Sequence, residues 1–551
     1  MKGERIVVAL FFGLLAALLA VQIFLLAWLL KVSGSLFRTA RPSYQAAFKV
    51  AALICLIGVV VGLPINLLIA ALPSGAVIIF GLVAVVAAYV FYWKLIRRLL
   101  QSSGKKAFGA MVFSLGISTV GALGLAYAFR NTLFEAFVVP TGAMATTIFG
   151  SHRDVICPNC GRHFAVSMTD VMSPPDMQPR MGLPTSKPVK CDNCAQEFEV
   201  GCDEIMSGDR MIVDKISSPM RWDVVVFRIP AAQDPPGQST NYVKRYVGLP
   251  GETLDIANGD VFINQNRVAK QPNEQLDLWF PVHDTQLMPK TIDSDTPRWE
   301  PATKDSWIAA GGGWKFSGAD KDETDLQFHG IVDDRLDYNS HVPGMGFVDS
   351  PANMVGDVRI LCDLQHFSGD GLVRIVWRFH GRVVQCAIRS TGEVELTCDP
   401  PQSENAVRSA TGKLAGDFKS ARQIGLAIRD GFAYVLNNDR VCASLQLAPT
   451  KRSDVPVKIE PESGMAAIRA GHCDVTISRI QLSRDIYYLP PETNFGGVFL
   501  PIALKPDEIF FLGDNSAASK DSRYMGPSQT RDIIGVTRAI YWPTSRWRSF
   551  P

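Results

Sequence analysis

Tyr242-Val243-Lys244-Arg245-Tyr246-Val247-Gly248-Leu249-Pro250-Gly251 is the stretch on which the reading of this 551-residue chain turns. Tyr242–Val247 reads as a strand, and Gly248-Leu-Pro-Gly251 closes it as a turn. A lysine inside such a strand has unusual chemistry available to it. Its amine is ordinarily protonated, with a reference pKa of about 10.4, and burial against apolar groups lowers that value until the amine can accept a proton. Neighbouring segments have the same character. Ser207–Lys215 belongs to the same core, Trp222–Phe227 runs apolar as a buried strand would, and Glu252–Ile256 and Asp260–Asn264 are short strands joined by the hairpin signal Asn258-Gly259. Glu508–Leu512, the loop Gly513–Arg523 and Ile533–Trp542 complete an all-β domain interrupted by inserts.

Two further segments accompany the lysine: Pro140-Thr141-Gly142-Ala143-Met144, and Gly513-Asp514-Asn515 with Ser519-Lys520-Asp521-Ser522-Arg523. In order and spacing the three resemble the motifs of the type I signal peptidases, membrane-bound serine/lysine-dyad peptidases that trim signal peptides from exported proteins. The resemblance covers roughly residues 130–150, 207–272 and 500–543. It implies that Lys244 is the general base, that position 143 is the nucleophile's, and that Thr141 keeps the hydroxyl that helps stabilise the oxyanion. Ser519, Asp521 and Arg523 would support the lysine from behind. Asp521 and Arg523 read as an ordering salt bridge, and no catalytic histidine is suggested.

This chain departs from that pattern at the decisive atom, because Ala143 stands where the nucleophilic serine belongs and a methyl group cannot form an acyl-enzyme. Thr146 replaces a usual proline as well. Three accounts stay open: a pseudopeptidase that binds signal-peptide-like strands without cutting, recruitment of a neighbouring hydroxyl, or other chemistry. Thr141, two residues from Ala143, would point to the same side of a strand and is the candidate substitute.

Cys157-Pro-Asn-Cys160 and Cys191-Asp-Asn-Cys194 form two knuckles of the spacing that closes a tetrahedral zinc site. Four thiolates leave no open position for water, so zinc here would be structural; two disulfides are the alternative on an oxidising side. Cys202 is a spare thiol, and Asp170–Lys190, rich in Pro and Met, reads as a loop between the knuckles.

Nearly all long apolar runs precede residue 130. Residues 6–30, 50–72, 76–93 and 107–129 are expected as four transmembrane helices, with Pro64 kinking the second and Pro73-Ser-Gly75 turning tightly into the third. Lys31, Arg38 and Arg41, then Lys94, Arg97, Arg98, Lys105 and Lys106, mark cytoplasmic loops. The chain is thus read as an integral protein of the cytoplasmic membrane, its catalytic-type domain on the exported (periplasmic or extracytoplasmic) side. A net charge of +2, from 55 basic and 53 acidic residues, gives no sign of a nucleic-acid partner.

Residues 279–488 are foreign to the peptidase pattern. Short alternating runs such as Asp357–Leu364, Leu372–Phe379, Arg382–Arg389, Ile424–Arg429 and Val475–Ile480 recur between turn residues, as in an antiparallel β-sandwich. The rhythm, with Trp314-Lys-Phe-Ser near its start, resembles laminin-G-like or concanavalin-like jelly rolls, which implies either an envelope glycan ligand or a protein-docking role. Cys362, Cys386, Cys398, Cys442 and Cys473 allow two disulfides or buried thiols; His329, His380 and His472 read as structural. Gln233–Gln238 and Ser294–Asp305 read as loop and linker.

The expected architecture is multidomain. Transmembrane α-helices (1–130) precede an all-β signal-peptidase-like domain (131–272 plus 489–551) carrying a zinc ribbon (151–206) and a β-sandwich (279–488). The implied partners are signal peptides of exported preproteins and the lipid bilayer.

Overall fold

The computed structural model describes residues 2–69, 74–169, 185–229, 240–270, 278–293, 296–318, 322–339, 353–400, 409–414, 421–438, 440–447, 451–454, 465–491 and 497–550. The Pro73 turn, the Gln233–Gln238 loop and most of Asp170–Lys190 lie outside them, as do Ser294 and Asp295. Two compact units emerge, residues 2–135 with 214–216, and 136–213 with 217–550.

The first unit contains four long helices, Lys2–Leu36, Tyr44–Ile69, Ser74–Leu100 and Gly104–Thr132. Each overlaps one expected span, and the second runs on through Pro64. Ala16–Leu36 and Gly104–Gly124 are long and apolar enough to cross a membrane, and Tyr44–Gly58 is a shorter apolar segment. Leu26, Leu30, Ile54, Ile96, Leu100 and Met111 pack with Ala47, Ala51 and Ala110, whose small side chains let helices approach closely.

The second unit is almost wholly β. Arg210–Asp214, Ile533–Trp542, Val224–Ile229, Thr240–Gly248, Glu508–Leu512 and Ser528–Gln529 lie in that order in one sheet, bordered by Phe134–Val138. Val225, Val226, Phe227, Phe510, Phe511 and Leu512 are buried, which explains their near-continuous apolar reading. A smaller sheet places Ile502–Ala503 beside Thr253–Ala257, which forms a hairpin with Asp260–Ile263. Its turn is the expected Asn258-Gly259, with φ of 52° and 88°, the left-handed pair that a two-residue hairpin demands.

The insertion is an antiparallel sandwich. One sheet runs Trp307–Ala310, Gly313–Gly318, Cys473–Arg484, Val358–Ser368, Arg422–Arg429, Phe432–Asn437, Arg440–Gln446; the other runs Arg298–Pro301, Thr324–His329, Met465–Gly471, Leu372–Phe379, Arg382–Arg389, Glu393–Asp399, Ser409–Lys413. Alternate residues Ile360/Cys362/Leu364, Val373/Ile375/Trp377 and Val384/Cys386/Ile388 fill the space between the sheets. All five sandwich cysteines are free thiols, which decides against disulfides. Buried charges fasten this module to the chain that leads into it. Lys270 pairs with Asp430 at 2.6 Å and Asp485 at 2.9 Å, and Arg429 reaches Asp485 at 2.7 Å.

Three expectations need correcting. Ser294–Asp305 is not wholly linker, because Arg298–Pro301 within it is a strand paired with Thr324–His329 and buries Trp299. Ser186–Lys190 is not loop but a strand paired with Glu197–Gly201, because its alternation buries Lys187 and Val189 on one side. Thr141–Met144 is not a strand: Gly142–Met144 forms a 3-10 turn.

Candidate functional site

Strand Thr240–Gly248 carries Lys244 between two others, with Val225 opposite Lys244 and Leu512 opposite Arg245. Successive side chains leave opposite faces of a strand, so the two cations part company. Arg245 holds Asp514 with both ends of its fork, at 2.7 and 2.5 Å, and donates to the carbonyl of Trp222. Lys244 is only 3% exposed. Burial pulls its amine down to about 8; the charges of Asp521 and Asp514 oppose that fall, and Arg523 adds to it. Both carboxylates are committed elsewhere, Asp514 to Arg245 and Asp521 to Arg523. Lys244 is therefore a buried amine without its own counter-ion among the described residues.

That arrangement has a stability signature. The amine's folded value lies below the 10.5 of an ordinary lysine. The fold therefore disfavours the charged form, fully so below pH 8 and not at all above 10.5. Lys244→Met is expected to raise stability at pH 7 by up to ~3 kcal/mol, a gain that fades between pH 8 and 10.5. Thermal unfolding of the two chains at pH 7 and pH 10 checks this.

The lysine strand packs against the Gly142–Met144 turn. Ala143 and Met144 are buried, whereas Thr141 is exposed. The expectation that Thr141 and Ala143 share one face thus fails, because the chain turns between them. The Gly-Asp-Asn loop grips the same turn. Asn515 N–H donates to the Ala143 carbonyl at 3.2 Å, and Asn515 Nδ2 donates to the Gly142 carbonyl at 3.0 Å. A side chain at Gly513 would overlap Ser519 Oγ and stand 2.5 Å from the Ala143 oxygen, so only glycine lets the loop come this close. Ser519 Oγ is buried with no hydrogen-bond partner among the described residues.

Asp521 and Arg523 form the expected ordering pair, both fully buried. Burial pushes the Asp521 carboxyl up, but Arg523 and the Gly513 N–H outweigh it and hold the group below its ordinary value. Arg523 also donates to the Leu489 carbonyl and to Ser516. Sequence reasoning assigned no role to Asp514 or Asn515, although both stand inside a quoted motif. Tyr338, which lies against Gly142, and Asn339, which pairs with Asn515, carried no signal at all.

The cysteine knuckles come together as expected. Cys157, Cys160, Cys191 and Cys194 are buried, and their sulfurs all lie within 4.8 Å of one another. Each knuckle caps a hairpin and closes with the same hydrogen bond, Gly161 N–H to Cys157 O at 2.9 Å and Ala195 N–H to Cys191 O at 2.8 Å. Both donors sit at positive φ, 75° and 58°. The short sulfur–sulfur approaches cross between knuckles, 3.6 Å for Cys157–Cys194 and 3.7 Å for Cys160–Cys191. Those separations are far from a disulfide's ~2 Å and compatible with one shared ion. Cys202, half-buried, lies outside the group.

Residues 202–304 and 477–542 match the family described as "Signal peptidase, peptidase S26". Signal peptidase I of Leptolyngbya laminosa is 37% identical over 94 residues, which cover 16% of this chain and 43% of that protein. A probable signal peptidase I-2 of Synechocystis sp. is 33% identical over 73 residues, covering 12% of this chain and 34% of that protein. The chain therefore spans less than half the length of these curated relatives. Among solved structures, a carbohydrate-binding module from Bacillus subtilis aligns at 7% identity and a TM-score of 0.23, over 34% of this chain and 94% of that one, a likeness too slight to inform fold or function. Through its two matched segments, this chain is similar to the signal peptidases of that family.

Proposed function

We propose that this chain is a membrane-bound signal-peptidase-like protein that docks signal peptides of exported preproteins, keeping the general base of the serine/lysine dyad but not its nucleophile. The observation that carries the reading is Lys244: buried, lacking its own counter-ion, with its amine near 8, on a strand packed against the turn that presents Ala143. An amine so placed takes up a hydroxyl proton when one is offered. At position 143 a methyl is offered instead, so a docked peptide meets base without attacking oxygen. The exposure of Thr141, against the burial of Ala143, supports docking over recruitment of that hydroxyl. The basic loops around residues 31–41 and 94–106 support a cytoplasmic placement for those loops, with the β unit on the exported side.

The test uses the full-length chain in detergent with a preprotein. Wild type is expected to bind it without cleaving, Ala143→Ser to cleave it, and Lys244→Ala to abolish that gain. Cleavage by wild type that survives Lys244→Ala would sink the reading.

The four thiols belong, on this proposal, to a structural zinc ion held by Cys157, Cys160, Cys191 and Cys194. Its knuckles also carry the docking groups of the insertion. Asn159 exchanges hydrogen bonds with Thr291, and Asn193 with Asp284 and Leu287. Metal analysis is expected to find one zinc per chain, and Cys157→Ser to lose most of it to a mild chelator. Equal retention in the variant would refute the assignment.

A further inference from the structure

We infer that Asn339, carried by the β-sandwich insertion, is a positioning residue of the peptidase-like site, setting the orientation of Asn515 and through it the backbone at position 143. This rests on the reading of that site given above. Asn339 Nδ2 donates to Asn515 Oδ1 at 2.8 Å, and Asn515 Nδ2 donates to Asn339 Oδ1 at 2.8 Å. The second Nδ2 hydrogen of Asn515 goes to the Gly142 carbonyl, and its backbone N–H to the Ala143 carbonyl. The amide of a buried asparagine has two donors and one accepting oxygen to satisfy. Gly142 can only accept, so it requires nitrogen on its side; Asn339 gives the oxygen on the other side a donor. Gly142 selects this rotamer, and the two-point pair with Asn339 holds it.

Asn339 is itself held in place by its neighbours. Tyr338 lies so close to Gly142 that a side chain there would overlap its ring, and it stacks on Phe149 at 5.3 Å. The Tyr338 carbonyl accepts from Ser167 N–H at 2.8 Å, and Asp337 pairs with Arg162 at 2.9 Å. Ser167 and Arg162 belong to the cysteine-knuckle module. Three separate stretches of chain thus converge on one turn, and the insertion contributes the polar contact that reaches Asn515.

The experiment compares Asn339→Ala and Asn339→Asp in the full-length Ala143→Ser chain, by kinetics on a preprotein and by amide hydrogen exchange. Asn339→Ala is expected to lower kcat about tenfold while KM stays within about twofold, because a loosened turn misplaces the attacking oxygen without altering the peptide groove. The amides of Ala145 and Asn515 should exchange about tenfold faster, with strand Leu372–Phe379 unchanged. Asn339→Asp, which keeps an acceptor for Asn515 Nδ2 but sets a carboxylate oxygen against Asn515 Oδ1, should lose at least as much. If Asn339→Ala loosens the sandwich as well, Asn339→Asp is judged on the same criteria. Unchanged kcat with unchanged exchange at Ala145 and Asn515, or a loss confined to KM, overturns the inference. If Ala143→Ser proves inactive, the peptidase reading fails on its own, and the exchange pattern still decides Asn339.

Discussion

Ala143→Ser is expected to turn a chain without detectable cleavage into one whose rate climbs with pH and levels off above about 8. The new oxygen would stand on the Ala143 Cβ, in a turn that Asn515 holds by two carbonyls and against which the Lys244 strand packs. With the amine near 8, about a tenth of it is neutral at pH 7, so each unit of pH below 8 should change the rate about tenfold. Restoring a lost nucleophile in an otherwise complete serine hydrolase is worth on the order of 10^4–10^6 in rate. The measurement is a pH–rate profile for Ala143→Ser with and without Lys244→Ala. A profile flat from pH 6 to 9 would remove Lys244 from the role of base.

Breaking the Asp521–Arg523 pair should have the largest effect on stability and move that profile in a direction set by the charge left behind. Arg523→Met strands a fully buried carboxylate and abandons the Leu489 and Ser516 acceptors, an expected loss of about 3–5 kcal/mol. The Asp521 charge, no longer answered, raises the Lys244 amine, and the Ala143→Ser profile shifts toward alkaline pH. Asp521→Asn leaves Arg523 unanswered instead, depresses the amine and shifts the profile toward acid. Denaturant unfolding of the full chain and the two profiles check both signs. Shifts in the same direction would show that the pair does not act on Lys244 through charge.

What was legible in the sequence shares a property: its partners are near in the chain or its pattern repeats. The sandwich strands announced themselves through alternation such as Val373, Ile375 and Trp377, and the four thiols through two short turns. Lys244 was legible because strand and motif coincide on it. Thr141 and Ala143 were misjudged because alternation presumes an extended chain, while Asn515, distant in sequence, grips a turn there. Nothing local distinguishes Asn339 from any other loop asparagine; only the closed fold brings it to Asn515. Asn159 and Asn193 were visible as knuckle residues, but not as the groups that bind the insertion's strand and loop.

The sheet that carries Lys244 is stitched from strands made at very different times. Thr240–Gly248 borders Val224–Ile229, synthesised just before it, and Glu508–Leu512, which leaves the ribosome only after the whole sandwich. A nascent chain emerging in that order can complete the insertion, whose strands pair among themselves, while the lysine strand still has one open edge. Ala143 receives its clamp from Asn515 later still. The region that would read a signal peptide accordingly closes only after the sandwich has been made, a built-in delay before any exported client could be engaged.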